Sequence, residues 1–181
     1  ADTGSLAPTA SGTPSADSVE PAGPYEMLVA RGTTLVAIDA GGRERAVVDV
    51  ASRGLSADEL AFAYVSSAGW LAVQPGAGSR SPGAGHELID LRHRSASPVL
   101  VEGTFDQRTW SPDGTRLATN RSGHIPVVID AASGRETVVD LHGGYLPGGG
   151  PSLIWTSDGT GILVKGPGPG SPLQIAPVDG G

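Results

Sequence analysis

From residue 25 onwards, short apolar runs alternate with polar clusters rich in Gly, Pro, Asp and Ser. The pattern is clearest in residues 105–141, where it predicts four strands: a, ending at Trp110; b, about 115–120; c, 125–130; and d, 136–140. A Ser-Pro-Asp-Gly turn separates a from b. There Pro presets φ, Asp bonds its own backbone and Gly accepts a positive φ. The segment therefore predicts one antiparallel four-stranded unit.

The unit repeats along the chain. The positions of Val65, Trp110 and Trp155, each just before a turn, lie 45 residues apart. A second marker is an apolar residue followed by Asp before the c–d turn: Ile38-Asp39, Ile89-Asp90, Ile129-Asp130 and a degenerate Val178-Asp179. A period of 40 to 50 residues with four short strands is typical of propeller blades. Trp110 and Trp155 are then expected to be core residues that pack between adjacent blades.

The unit "WSPDGTRLA…R-SG…VVIDAASGRETVVDL" resembles the TolB-like, or PD40-type, β-propeller repeat, a relative of WD40. The resemblance covers about residues 25–179, with one strong copy, one good copy and two degenerate ones. Propellers of this type serve as periplasmic interaction modules, as lipoprotein or sensor domains, and as gates on prolyl-oligopeptidase-type enzymes. Fold analogy alone does not choose among these uses.

Two regions are expected. Residues 1–24 contain almost only Ala, Ser, Thr, Pro and Gly and are expected to form a flexible linker. Residues 25–181 are expected to form an all-β fold, a β-propeller of about four blades with three, four, four and three antiparallel strands. Because the last blade would stop after strand c, we expect an open arc that is cut from a longer ring or completed by a partner copy. Its unpaired edge could support self-association.

Composition narrows the partners. The formal net charge is −7, which argues against a generic nucleic-acid or anionic-membrane surface. The chain has no cysteine, which excludes disulfides and Cys-ligated metal sites, and no apolar stretch approaches the length of a membrane span. A linker of this composition often joins an exported domain to an anchor. We therefore expect an extracytoplasmic location: secreted, periplasmic or membrane-tethered through a segment outside this chain.

The connections between strands sort into two ends of the predicted blades. The a–b and c–d turns share one end and are mostly tight. The other end, called the loop face, carries the longer connections: 51–59, 75–86, 121–123, 142–151 and 166–171. Loops on a rigid scaffold commonly carry binding residues. Arg53 also falls on the loop face, and the candidate binding residues there are Arg80, His86, Arg121, His124, His142 and Tyr145.

Catalytic and metal-binding patterns are not legible. Three of the four histidines fall on the loop face, but without HExxH spacing or a clustered acidic set, and no G-x-S-x-G elbow or phosphate-binding lysine motif occurs. Asp113 and Asp158 are explained as turn residues rather than calcium ligands. No cofactor or metal is expected. The leading interpretation is a non-catalytic binding or sensing module with a protein partner. The alternatives are the gating domain of a larger serine peptidase or other hydrolase and, third, a carbohydrate- or small-ligand-binding lectin with Tyr145.

Overall fold

A computed structural model describes residues 27–61, 63–74, 85–93, 96–101, 105–122, 125–141, 151–166 and 170–178. Over these residues the fold is all-β, with four antiparallel sheets that follow one another along the chain. Sheet 1 contains β1 (Met27–Arg31), β2 (Thr34–Ile38) and β3 (Glu44–Asp49). Sheet 2 contains β4 (Tyr64–Val65), β5 (Trp70–Val73), β6 (His86–Asp90) and β7 (Val99–Val101). Sheet 3 contains β8 (Phe105–Trp110), β9 (Arg116–Arg121), β10 (Ile125–Asp130) and β11 (Glu136–Val138), and sheet 4 contains β12 (Ser152–Trp155), β13 (Gly161–Lys165) and β14 (Leu173–Pro177).

The number of strands per sheet in the described part of the chain is three, four, four and three, as the sequence pattern predicts. In sheet 3 the agreement extends to the bounds: strand c covers 125–130, strand b is displaced by one residue, and strand d ends two residues early, at Val138. Each sheet is a simple meander in which sequential strands pair as neighbours. The 1–24 linker lies outside the described residues.

The connection from sheet 1 to sheet 2 differs from the expected loop over 51–59. It contains a 3₁₀ helix (Val50–Arg53) and a short α-helix, α1 (Ala57–Ala61). The signal for α1 is a capping box, in which the backbone N–H of Ser56 donates to the Glu59 carboxylate and the backbone N–H of Glu59 donates to the Ser56 hydroxyl. Both helices in the described part of the chain are too short to span a membrane.

The core consists of three apolar clusters, each between two successive sheets. Leu71 and Val73 of β5 pack with residues of sheet 1, whereas Trp70 and Ala72 of the same strand pack with residues of sheet 3. Successive side chains on a strand point to opposite faces, so β5 supplies both clusters. A third cluster joins sheets 3 and 4 and includes Trp155, which is 8% exposed. The sheets therefore stack face to face in chain order.

Two expectations need correction. Trp155 is buried as expected, but Trp110 is half-buried and packs at the margin of its cluster. The pairing of Val178 with Ile129 in the repeat is also wrong. The N–H of Val178 donates to the Thr160 carbonyl, just as the N–H of Ala131 donates to that of Thr115, so Val178 corresponds to Ala131.

Candidate functional site

In the a–b turns of sheets 3 and 4, the aspartate accepts hydrogen bonds from groups of the same turn. Asp113 accepts hydrogen bonds from the Ser111 hydroxyl and from the backbone N–H and hydroxyl of Thr115, at 2.5, 3.0 and 2.9 Å. Asp158 repeats the pattern, accepting from the Thr156 hydroxyl at 2.6 Å and the Thr160 N–H at 3.1 Å. These bonds, the Thr156 hydroxyl first, lower the pKa of Asp158 to about 2. The expected role as turn residues is confirmed for both.

In the c–d turns, the Asp that follows an apolar residue accepts hydrogen bonds from its own turn in the same way. Asp39 accepts from the backbone N–H groups of Gly41 and Arg43, and Asp130 from the N–H and hydroxyl of Ser133. Asp90 bonds both the backbone and the guanidinium of Arg92. These carboxylates therefore serve to close their own turns.

The first strands of sheets 2, 3 and 4 lie side by side. The indole nitrogen of Trp110 donates to the Tyr64 carbonyl at 3.1 Å, and that of Trp155 donates to the Thr109 carbonyl at 3.0 Å. Both contacts span 46 residues. The turns beside these strands also touch, since the Ser67 hydroxyl donates to the Pro112 carbonyl.

A polar cluster lies between sheets 2 and 3, towards the ends of the strands away from the tight turns. Arg108 of β8 donates to the side-chain oxygen of Gln74 at 2.5 Å, and its guanidinium carbon lies 5.3 Å from the centre of the Tyr64 ring. Gln74 directly follows β5, and His86 begins the neighbouring strand β6. The cluster therefore presents a guanidinium, a carboxamide and a phenol near one end of the stack. Such groups bind carboxylates and backbone carbonyls.

His86 lies inside this interface. Its side chain is 1% exposed, so it does not reach a partner directly, although its place at the start of β6 is at the expected end. Burial, together with the positive charge of Arg108, lowers the pKa of His86 to about 3. The imidazole is therefore neutral at physiological pH, and it contributes to the packing between the sheets rather than to a surface contact.

The structure places the other expected residues as follows. Arg121 is at the end of β9 and forms an ion pair with Glu136 of the same sheet. Arg80, His124, His142 and Tyr145 lie outside the described residues, so His86 and Arg121 are the two candidates whose positions are described. Arg53 donates to the Ala96 carbonyl at 3.3 Å. Ala96 lies in the β6–β7 connection, a c–d turn that the sequence pattern places at the tight-turn end.

Sequence reasoning missed Arg108, Gln74 and Asn120. Asn120 is fully buried near the end of β9, and its amide donates to the Pro151 carbonyl at 2.7 Å, which ties sheet 3 to the segment before β12. A signal existed, because Gln74, Asn120 and Lys165 all stand within one residue of the end of strand b in their repeats. This positional match was not recognised because the three side chains differ in chemistry.

In the parts of the chain that are described, no group of three His, Asp or Glu side chains could hold a metal ion. Comparison of the sequence with protein-family models and with curated proteins found no match. The site must therefore be interpreted from its own geometry.

Proposed function

We propose that the chain forms successive blades of a TolB-like β-propeller and that its loop face binds a protein partner without catalysing a reaction. The observation that carries the proposal is the repeated tryptophan contact, Trp110 to Tyr64 and Trp155 to Thr109. It sets the first strands of sheets 3 and 4 each against the first strand of the preceding sheet. Neighbouring innermost strands around a common axis are what radial repetition of four-stranded sheets requires.

The choice of the loop face rests on the lengths of the connections at the two ends. At the tight-turn end, the aspartates are bonded to their own short turns. Towards the other end, Arg108 is bonded to Gln74 and Arg121 to Glu136, and the connections are as long as the one that joins β5 to β6. Longer connections on a rigid scaffold are suited to recognition. In keeping with the composition, the proposed setting is extracytoplasmic.

The propeller is tested by a crystal structure of the full chain. Four sheets arranged around one axis, with β4, β8 and β12 nearest to it, would support it. Sheets that stack in a straight row and surround no common axis would contradict it.

Partner binding is tested by photo-crosslinking, which the absence of cysteine makes clean. Single cysteines that carry a benzophenone are introduced at Arg80 and Ser122 for the loop face, and at Ala40 and Ser133 for the tight-turn end. Each protein is irradiated in an extract of the cells that produce it. We expect the same cross-linked protein from both loop-face positions and not from the turn positions. Equal yields from the two ends, or no adduct at the loop face, would refute the proposal.

A further inference from the structure

One face of sheet 4 is apolar and exposed. Ile154 of β12, Leu163 of β13 and Ile175 of β14 are directly paired across the three strands and form one row. Ile154 is 59% exposed, Ile175 is 67% exposed, and Leu173 on the same face is 59% exposed. The opposite face, with Trp155 and Ile162, is buried against sheet 3. A solvated sheet face normally carries polar residues, so this row requires an explanation.

The same row is covered in the two preceding sheets. In sheet 3 the corresponding paired residues include Ala118 and Val128, which are 0% and 3% exposed beneath sheet 4. In sheet 2 they include Ala72 and Leu88, which are fully buried beneath sheet 3. Twice in this chain, therefore, the cover of this row is the next antiparallel sheet. The exposed row of sheet 4 therefore occupies the same strand positions as the rows that form those two interfaces.

The other end of the stack offers a matching face. Leu35 and Ala37 of β2 face sheet 2, so Val36 and Ile38 face the opposite way. Within one copy Val36 is 7% exposed and Ile38 is half-buried, so the exposed part of this face lies at Met27. Val29 pairs with Val36, and Met27, which is 61% exposed, pairs with Ile38. The outer face of sheet 1 is thus apolar at the strand positions that, in sheets 2 to 4, pack on the preceding sheet.

We propose that the outer face of sheet 4 binds the outer face of sheet 1 of a second copy of this chain, and that two copies close head to tail around a twofold axis. Every copy carries both complementary faces, so the occupant is present wherever the protein is. A stable interface buries roughly 800 Å² per partner, and closure around the twofold axis makes two sheet-to-sheet contacts at once. Two copies would give eight sheets, within the usual range of about four to eight blades.

The closure rests on the proposed radial arrangement of the sheets, but it does not depend on partner binding at the loop face. Association must overcome the charge of −7 on each copy. Because salt screens this repulsion and strengthens the burial of apolar groups, the dimer is favoured by high salt.

The test is sedimentation velocity of the full chain over a concentration series at low and high salt. We expect a monomer–dimer equilibrium whose dissociation constant falls as the salt concentration rises. The double variant Ile154→Glu/Ile175→Glu should raise the dissociation constant by about 100-fold or more, since two apolar contacts become buried charges. Both side chains are exposed within one copy, so circular dichroism and the unfolding midpoint should stay close to those of the parent.

Two further variants complete the design. Leu100→Glu is the matched control: Leu100 is 70% exposed but lies on β7 of sheet 2, away from both outer faces, and the variant should dimerise like the parent. Met27→Glu changes the opposite face and should weaken the dimer as strongly as the sheet 4 variant does.

Four outcomes would overturn the proposal. They are a monomer at all concentrations, a dimer that survives Ile154→Glu/Ile175→Glu, open-ended polymers in place of a closed dimer, and a dimer that is lost on changing Ile175 but not Met27. The last would show that sheet 4 pairs with itself. A negative crosslinking result at the loop face leaves this experiment unaffected, so the two proposals fail separately.

Discussion

The indole nitrogen of Trp155 donates a hydrogen bond to the backbone carbonyl of Thr109, 3.0 Å away and one sheet earlier in the chain. The bond joins β12 to β8, while the ring lies over the core shared by sheets 3 and 4. The guanidinium carbon of Arg116 lies 5.0 Å from the centre of the same ring, and this guanidinium also donates to the Gly159 carbonyl at 2.8 Å. Trp155 is therefore both a core residue and a connection between two sheets.

Trp155→Ala should destabilise the protein more than Trp110→Ala. Removal of the buried Trp155 ring should cost about 3–5 kcal/mol, as for other buried aromatics. The half-buried Trp110 should cost about half of that, because less area leaves water when it packs. Urea unfolding followed by circular dichroism measures both. Trp155→Phe removes the hydrogen bond and part of the ring, and it should cost less than Trp155→Ala. Equal losses for the two alanine variants would contradict the difference in burial.

Gly114→Ala should damage the contact between sheets 2 and 3. Gly114 has φ of 72°, and a Cβ there would lie 2.5 Å from the backbone nitrogen of Ala68 in the neighbouring turn. Gly42 is the matched control, with φ of 78° and nothing within 4 Å of the added Cβ. Gly42→Ala should cost about 1 kcal/mol for the left-handed conformation alone, and Gly114→Ala about 2 kcal/mol more. Thermal unfolding of the two variants decides; a similar loss would show that the turns are not in contact.

Asp90 should support stability down to low pH. Burial alone would raise its pKa, but hydrogen bonds from Arg92 and His93 outweigh burial and lower the pKa to about 2. A carboxyl whose pKa is depressed on folding stabilises above its unfolded value near 3.8, and the contribution is lost as the pH falls through about 2. Asp90→Asn should therefore cost about 2 kcal/mol at pH 7, with the difference shrinking below pH 4. The exposed Asp140→Asn is the control. A pH-independent loss for Asp90→Asn would exclude the ionic origin.

His86 should make the protein sensitive to mild acid. Because folding lowers its pKa from 6.5 to about 3, the unfolded chain binds more protons than the native one between these values, and stability falls as the pH drops below 6.5. Between pH 7.5 and pH 5 the loss should be about 2 kcal/mol.

The variant that tests this is His86→Leu, which cannot titrate. The free energy of unfolding, measured by urea titration at pH 5, 6 and 7.5, should vary less with pH in this variant than in the parent. His86→Gln, a polar replacement that also cannot titrate in this range, should vary as little with pH as His86→Leu. If the parent and His86→Leu showed the same pH dependence, His86 would not be buried as described.

The strands could be predicted because their signals are local. In β10, the apolar residues end at the Ile129-Asp130 pair. The turn that follows is closed by a hydrogen bond from the Ser133 N–H to Asp130, and all the residues of this turn are consecutive in sequence. The degenerate repeat at the end of the chain was aligned wrongly for the opposite reason. Its register is fixed by the bond from Val178 to Thr160, on a strand that is adjacent only in the folded sheet.

The candidate site was less predictable than the strands. His86 was assigned to the correct end of its strand, but its burial depends on sheet 3, which begins almost twenty residues later in the chain. Arg108 and Gln74 are 34 residues apart in sequence and have no shared motif, so their contact could not be read from spacing.

By itself, the sequence determined the all-β class, the period of 45 residues, the division into three, four, four and three strands, and the chemistry of the turns, because alternation of side chains and backbone hydrogen bonding act over a few residues. Only the tertiary structure decided which face of each strand meets which neighbour. It buried Trp155 more deeply than Trp110, enclosed His86 beside Arg108, and left Ile154 and Ile175 exposed. These outcomes depend on the stacking of one sheet on the next, and the same apolar residue is core or surface according to whether that next sheet is present.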